Sequence, residues 1–425
     1  MGSFLSSRAN ADDNWKSDAR FAMESRVYCV ICGGPFDTEG EVYNLDTKEP
    51  RYQWLFDYRL LGRRDDIHNH TYFEDHDDPV NTSEVDGIFL SEPAWFSFTG
   101  SLCFRVRNEA RTDHIEYSGL RYSPRANYTL FPLHGGCIET SCRAINHHRS
   151  HGKDSSGEPA LAVLFKLLNT RFFERHRAPP THVTDDTEID IFDLCVCSNL
   201  YGPRSVLSMT KLEWWGGEYD RFYTNPIDVP DLESFVFDVL MASSHNEASS
   251  TDLKLASREP EGIERLPVEL LDAICSYLPP QSVIKLHRTS SLMASKIPLE
   301  NAFWRDSLRG GCLHPHIWDL DIKQIEALRQ ESNITFSAAG WDWRSVAKLL
   351  AMKQFPVTGR DLRLEKMPLG LWNRCRIWSI IEEALDVTLG ELSANNRNDS
   401  AIEVREPRFV VSAWDLDDDL ETEAQ

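Results

Sequence analysis

At 425 residues the chain is too long for one ordinary core, so two or three domains are expected. Hydrophobic residues make up 41% and aromatics 11%, a globular composition. The net charge of -22 repels phosphate backbones and argues against broad nucleic-acid binding.

No apolar run approaches the roughly 20 residues needed to cross a bilayer, and "LAVLFKLL" is interrupted by Lys166. No secretory core marks the N-terminus. The ten cysteines therefore read as reduced thiols or metal ligands, which points to an intracellular protein, cytoplasmic or nuclear. "MGSFLS" fits the myristoylation pattern, with Gly2 as acceptor and Ser6, but one acyl chain without a following polybasic run binds membranes only marginally.

Residues 1–24 are polar and read as a disordered leader. From there to residue 240 the texture is aromatic-rich and mixed. "VYCVICGGPF" reads as a strand, a knuckle and a turn. "AWFSFTGSLCFRVRN" contains a strand, and "DHIEYSGLRY" is another, broken at Ser118-Gly119. "EPALAVLFKLLNTRFFERH" has helical apolar spacing through Leu161, Leu164, Phe165, Leu168 and Phe172. "DDIHNHTYFEDHDDPVNTSEVDG" and "NHHRSHGKDSSGEP" read as loops. Trp214 and Trp215 in "EWWGGEY" read as a core corner in preference to a substrate-facing patch. Residues 241–262 are small and polar, as a linker is, and everything after them has helical spacing. An acidic tail, 393–425, closes the chain.

Cys29-x-x-Cys32 has zinc-knuckle spacing, and Gly33-Gly34 lets backbone amides approach the sulfurs. His134-x-x-Cys137 supplies a second half, with Cys142 nearby. Four such ligands would make a tetrahedral structural zinc site if the roughly 100 intervening residues bring the pairs together. A buried, reduced thiol pair in a tight turn is the competing reading. Cys195 and Cys197 lie on a strand-like run and read as core. Cys137 or Cys142 with His134, His147 or His148 would pair a nucleophile with a base, but nothing in the sequence orients the base. There is no G-x-S-x-G, Walker A or H-E-x-x-H pattern, so no catalytic residue is assigned and a non-enzymatic protein is expected.

The stretch "RLPVELLDAICSYLPPQSVIKLHRTS" packs two apolar patterns around a Pro-Pro. Pro267 suits a helix start. Leu266, Leu270, Leu271, Ile274 and Leu278 recur on one broad face. Pro279-Pro280 ends that helix. Val283, Leu286 and Leu292 mark a second, and Phe303, Trp304 and Leu308 a third. Three short helices in about 45 residues make a thin core that usually needs another surface.

This block resembles the F-box. Leu266, Pro267, Glu269, Leu270, Ile274, Leu278, Val283 and Leu286 fill the family's pattern. The run Arg288-Thr289-Ser290-Ser291 departs from it and leaves the end of the second helix open. The resemblance implies docking on a Skp-type adaptor of a cullin–RING ubiquitin ligase, with the rest of the chain choosing an unknown protein substrate. The partner-binding residues it implies are Leu266, Pro267, Leu270, Leu271, Ile274, Leu278, Val283 and Leu286. With "YCVICGGPF", "FPLHGGCIETSC" and "LWNRCRIWSIIEEAL", the whole chain is similar to a fungal family of F-box proteins of unassigned substrate.

The expected fold class is accordingly α+β. It comprises a mixed N-terminal domain (25–240), the linker (241–262), a three-helix F-box (263–310) and a helical C-terminal region (311–392) before the tail. The alternative is a zinc-stabilised interaction module whose F-box-like helices serve only its own fold.

Overall fold

Six antiparallel strands and ten α-helices account for most of what a computed structural model describes: residues 29–32, 34, 36, 48–64, 87–98, 102–107, 114–120, 127–151, 157–177, 223–243, 259–332, 341–351 and 366–395. The leader, Cys195, Cys197, Trp214, Trp215 and the tail beyond residue 395 lie outside the described residues, as does all of the acidic stretch 65–87 but Gly87. The α+β expectation holds: the chain has a helical part and an antiparallel sheet.

The chain divides into two units, and the division is not linear. One unit gathers Met1–Asp228, Pro356–Thr358 and Trp372–Gln425; the other holds Val229–Phe355 and Gly359–Leu371. This differs from a division at residues 240, 262 and 310. The helix Leu232–Ser243 carries a nearly all-apolar inner face and belongs with the later helices. The last long helix belongs, from Trp372 on, with the N-terminal unit.

In the first unit the sheet is built on β1 (Tyr58–Arg63). It pairs with β2 (Ile88–Leu90), with β3 (Ala94–Phe98) through Tyr58↔Ala94, and with β6 (Phe131–His134). β3 continues through β4 (Leu102–Arg107) to β5 (His114–Ser118). "AWFSFTGSLCFRVRN" is thus two strands of a hairpin. β5 ends at Ser118, and alternation buries its Ile115 and Tyr117 while His114 is exposed, the period of two that a half-covered strand requires.

Helix α1 (Gly135–His151) follows β6 directly, and α2 (Ala160–Arg177) packs against it. The ring of Phe131 meets Phe165 and Phe172 of α2 with centroids 6.1 and 5.8 Å apart. The "NHHRSH" segment read as loop is the end of α1. Its His147 ring lies 6.0 Å from that of Trp378, so an apolar neighbour stabilises a polar sequence as helix. The partner helix, Leu369–Asn395 (α10), is fixed in this unit by fully buried Arg374. Arg374 donates from Nε to the Pro226 carbonyl (2.5 Å) and from a terminal nitrogen to that of Ile227 (2.8 Å).

The second unit is all helical: α3 (Leu232–Ser243), α4 (Val268–Ser276), α5 (Pro280–His287), α6 (Ser291–Lys296), α7 (Asn301–Leu308), α8 (Ile322–Glu331) and α9 (Trp343–Leu350). Pro267 sits at the N-cap of α4 and Pro280 opens α5, positions where a missing N–H costs nothing. The end of α5, open in the sequence, falls at His287 with Arg288 as its cap. Ser290 then accepts from the Met293 N–H at 3.1 Å and starts a separate helix, so the segment holds four α-helices rather than three. Buried Glu264 accepts from the Ser290 hydroxyl and the Glu261 N–H, while Lys296 Nζ donates to the Glu264 and Leu266 carbonyls.

The centre of this bundle is Leu271, Val283, Met293 and Ile297, with Leu266, Leu278, Leu286 and Phe303 packed around it. Leu271 is 0% exposed, so Leu271→Ala leaves a cavity and lowers the stability of the helical unit by about 2–5 kcal/mol, measured by urea unfolding.

Candidate metal centre and apolar helix face

The two halves of the Cys/His pattern meet. Cys29 donates its N–H to the Gly34 carbonyl at 2.8 Å, closing a tight turn that carries Cys29 and Cys32. Gly34 returns its N–H to Cys32 Sγ at 3.3 Å. A Cβ on Gly34 would stand 3.1 Å from His134 Cε1 and 3.2 Å from Cys32 Sγ, so the turn approaches its partners as closely as only glycine allows.

His134 is the last residue of β6, in register with Tyr58, and Cys137 lies in the first turn of α1. The junction is held by Gly135, whose N–H donates to the Asp57 carbonyl at 2.6 Å. A Cβ there would come within 2.3 Å of the Asp57 carboxylate, which explains the "HGGC" run.

The ligand atoms of Cys29, Cys32, His134 and Cys137 all lie within 4.8 Å of one another, and all four residues are buried. Cys32 Sγ is 3.3 Å from His134 Nδ1, so this is the ring nitrogen facing the sulfurs. The cysteines are free, not disulfide-bonded. Around them stand the rings of Phe36 and Trp54, each 5.0 Å from His134, and Tyr58 at 6.4 Å. Trp54 is itself fixed by donating Nε1 to the Tyr223 carbonyl at 2.6 Å.

Burial pushes the Cys29 thiol up, but hydrogen bonds from Cys137, Cys32 and His134 outweigh it and hold Cys29 well below the usual thiol range. Burial opposes charging of His134 too, yet the charge of Cys32 and hydrogen bonds to Cys29 and Cys32 raise it to about 10. Cys137 is pushed well above the thiol range by burial and by its bonded neighbours Cys29 and Cys32. Thiolate charge is thus concentrated in a dry pocket, an arrangement that a metal dication satisfies. The cluster can hold a metal ion.

Cys142 stands apart from the four, its thiol raised to about 11 by burial and by Glu139. His148 instead faces Asp386, with Nε2 at 3.4 Å. The sequence alone could not bring ligands 102 positions apart together. That contact comes from the β1–β6 ladder, which places His134 beside Tyr58.

The residues expected to bind a partner separate into three groups in the helical unit. Leu271 and Val283 are core, 0% and 4% exposed, and are out of a partner's reach. Leu266, Leu278 and Leu286 are half-buried against that core. Pro267, Leu270 and Ile274 are exposed. Of the six large apolar side chains that stand exposed among the described residues, five lie in this one stretch: Ile263, Val268, Leu270 (52%), Ile274 (36%) and Tyr277 (89%). At 100° per residue, Leu270, Ile274 and Tyr277 fall within about 60° of one another on α4, a single stripe. The sequence reading missed Ile263, Val268 and Tyr277. The signal for Tyr277 was there, three residues beyond Ile274 and seven beyond Leu270.

No protein family, curated protein or solved structure matches this chain. No helix among the described residues is long and apolar enough to cross a membrane.

Proposed function

We propose that residues 263–310 are an F-box whose α4 stripe seats a Skp-type adaptor, and that the chain is a non-catalytic substrate receptor of a cullin–RING ubiquitin ligase. The observation that carries this reading is the concentration of exposed apolar side chains at Ile263, Val268, Leu270, Ile274 and Tyr277, on a segment with the F-box spacing. Monomeric proteins rarely leave such side chains clustered in water unless something covers them. The mechanism is tethering: a bound substrate is held at high effective concentration beside the charged ubiquitin-conjugating enzyme. The substrate is a protein bound by the rest of the chain.

A second reading is favoured by the inward Leu271 and Val283 and by the Cys/His cluster. In it the helices complete only the chain's own fold, and the protein is an interaction module stabilised by zinc. Titration of the purified full chain with a purified Skp-type adaptor separates the two. The receptor reading expects a one-to-one complex. No complex at tens of micromolar of each would reject it and leave the interaction module.

A further inference from the structure

The first unit joins a turn near the start of the chain to the junction of β6 and α1, and it does so through four groups that water cannot reach. Cys29 and Cys137 are 0% exposed, Cys32 1% and His134 0%. Three thiols and an imidazole are poor packing partners for Phe36, Trp54 and Tyr58, since each buried polar group needs a bonded partner. The four already bond one another, Cys32 Sγ lying 3.3 Å from His134 Nδ1, and a metal ion at their centre would replace those bonds with stronger ones to all four at once.

The donor set selects the ion. Three soft sulfurs and one imidazole exclude calcium and magnesium, which take oxygen, and suit tetrahedral zinc. With Zn–S near 2.3 Å and Zn–N near 2.0 Å, tetrahedral ligand atoms stand about 3.5–3.8 Å apart. The 3.3 Å between Cys32 Sγ and His134 Nδ1, and the 4.8 Å limit on every pair, leave room for one ion at the centre and no more. The surrounding shell is what a thiolate site requires: the Gly34 amide donates to Cys32 Sγ, and the turn is closed by Cys29 N–H to the Gly34 carbonyl.

We propose that Cys29, Cys32 and Cys137 through Sγ, and His134 through Nδ1, bind a single Zn²⁺ that staples the Cys29–Gly34 turn onto the β6–α1 junction. The protons held on the thiols and on His134 Nδ1 leave to solvent as the ion binds. All four coordination positions are filled by the chain and none faces water, so the ion is structural and offers no place for a substrate or an activated water. None of the ligands lies in residues 259–332, so the site stands or falls separately from adaptor docking.

The test uses the full chain purified without chelator. Elemental analysis is expected to give one zinc per chain. Exchange for Co²⁺ is expected to give the intense visible bands of a tetrahedral thiolate site, with sulfur-to-cobalt charge transfer. His134→Cys is expected to keep one metal per chain and shift the cobalt bands from a three-sulfur to a four-sulfur pattern. Less than about a tenth of a zinc per chain would overturn the proposal, as would iron in its place. Cobalt bands unchanged by His134→Cys would remove His134 from the ligand set and overturn the four-ligand assignment. Should His134→Cys fail to fold, the zinc count and cobalt spectrum of the natural chain decide alone.

Discussion

Leu270→Asp combined with Ile274→Asp is expected to weaken the proposed adaptor binding by at least a thousandfold while leaving the chain folded. Both side chains are exposed, at 52% and 36%, so an aspartate at either position remains in water in the free chain. Surface substitutions of this kind change stability by about 0.5 kcal/mol or less. The complex is different. Covering a half-exposed leucine or isoleucine contributes roughly 1 kcal/mol, about half the effect of burying it completely. Covering an unpaired carboxylate costs several kcal/mol more. Two substitutions together exceed about 4 kcal/mol, and each 1.4 kcal/mol is tenfold in affinity.

The pair is chosen over Leu266 because Leu266 packs on the bundle's core, so its loss of binding would be confounded with unfolding. Calorimetric titration measures the affinity, and circular dichroism confirms the fold. An affinity within threefold of the natural chain would mean that this stripe is not where the adaptor sits.

On the zinc assignment, stripping the metal with a tight chelator is expected to raise amide exchange in residues 29–32, 34 and 131–140 by about a thousandfold and to leave residues 280–297 unchanged. Free ion at a thousand times its dissociation constant stabilises the bound state by about 4 kcal/mol, which corresponds to that factor in the opening equilibrium. Among the described residues of the Cys29–Gly34 turn, Cys29 donates its N–H to the Gly34 carbonyl and Gly34 donates to Cys32 Sγ in the cluster, while Val30 and Ile31 are buried beside them. Once the ion is gone, four desolvated ligands remain in a pocket lined by Phe36 and Trp54. The helical unit holds none of the ligands and serves as the internal control. Hydrogen exchange followed by mass spectrometry reads both regions in one sample. Equal rates with and without chelator would mean that aromatic packing alone holds the turn.

How much was legible in the sequence depends on how local each signal is. The helix Ala160–Arg177, the strand ending at Ser118 and the Pro-punctuated starts of α4 and α5 were readable because period and breaker lie in adjacent residues. The ligand identities were readable for the same reason: each half of the site is a two-residue spacing. That the halves meet was not readable, because it depends on the register Tyr58↔His134 between distant strands. The α4 periodicity named the apolar residues but not their direction. Leu270 and Leu271 are neighbours, yet one is 52% exposed and the other 0%, and only the positions of α5 and α6 decide which. The end of α1 misled for a related reason: "NHHRSH" is polar, and its helix is secured by Trp378 from a segment more than two hundred residues later.

The interleaving of the two units has a consequence for how the protein is made. On the ribosome the chain emerges from its beginning. The helical unit has nearly all its residues once position 355 is out, with only Gly359–Leu371 still to come. The N-terminal unit, although synthesised first, must wait for Trp372 and beyond, because Arg374 and Trp378 complete its interior. The part born first therefore finishes last. A message truncated between position 355 and α10 yields a product whose helical bundle is largely formed and whose opening domain is left with an unfilled face.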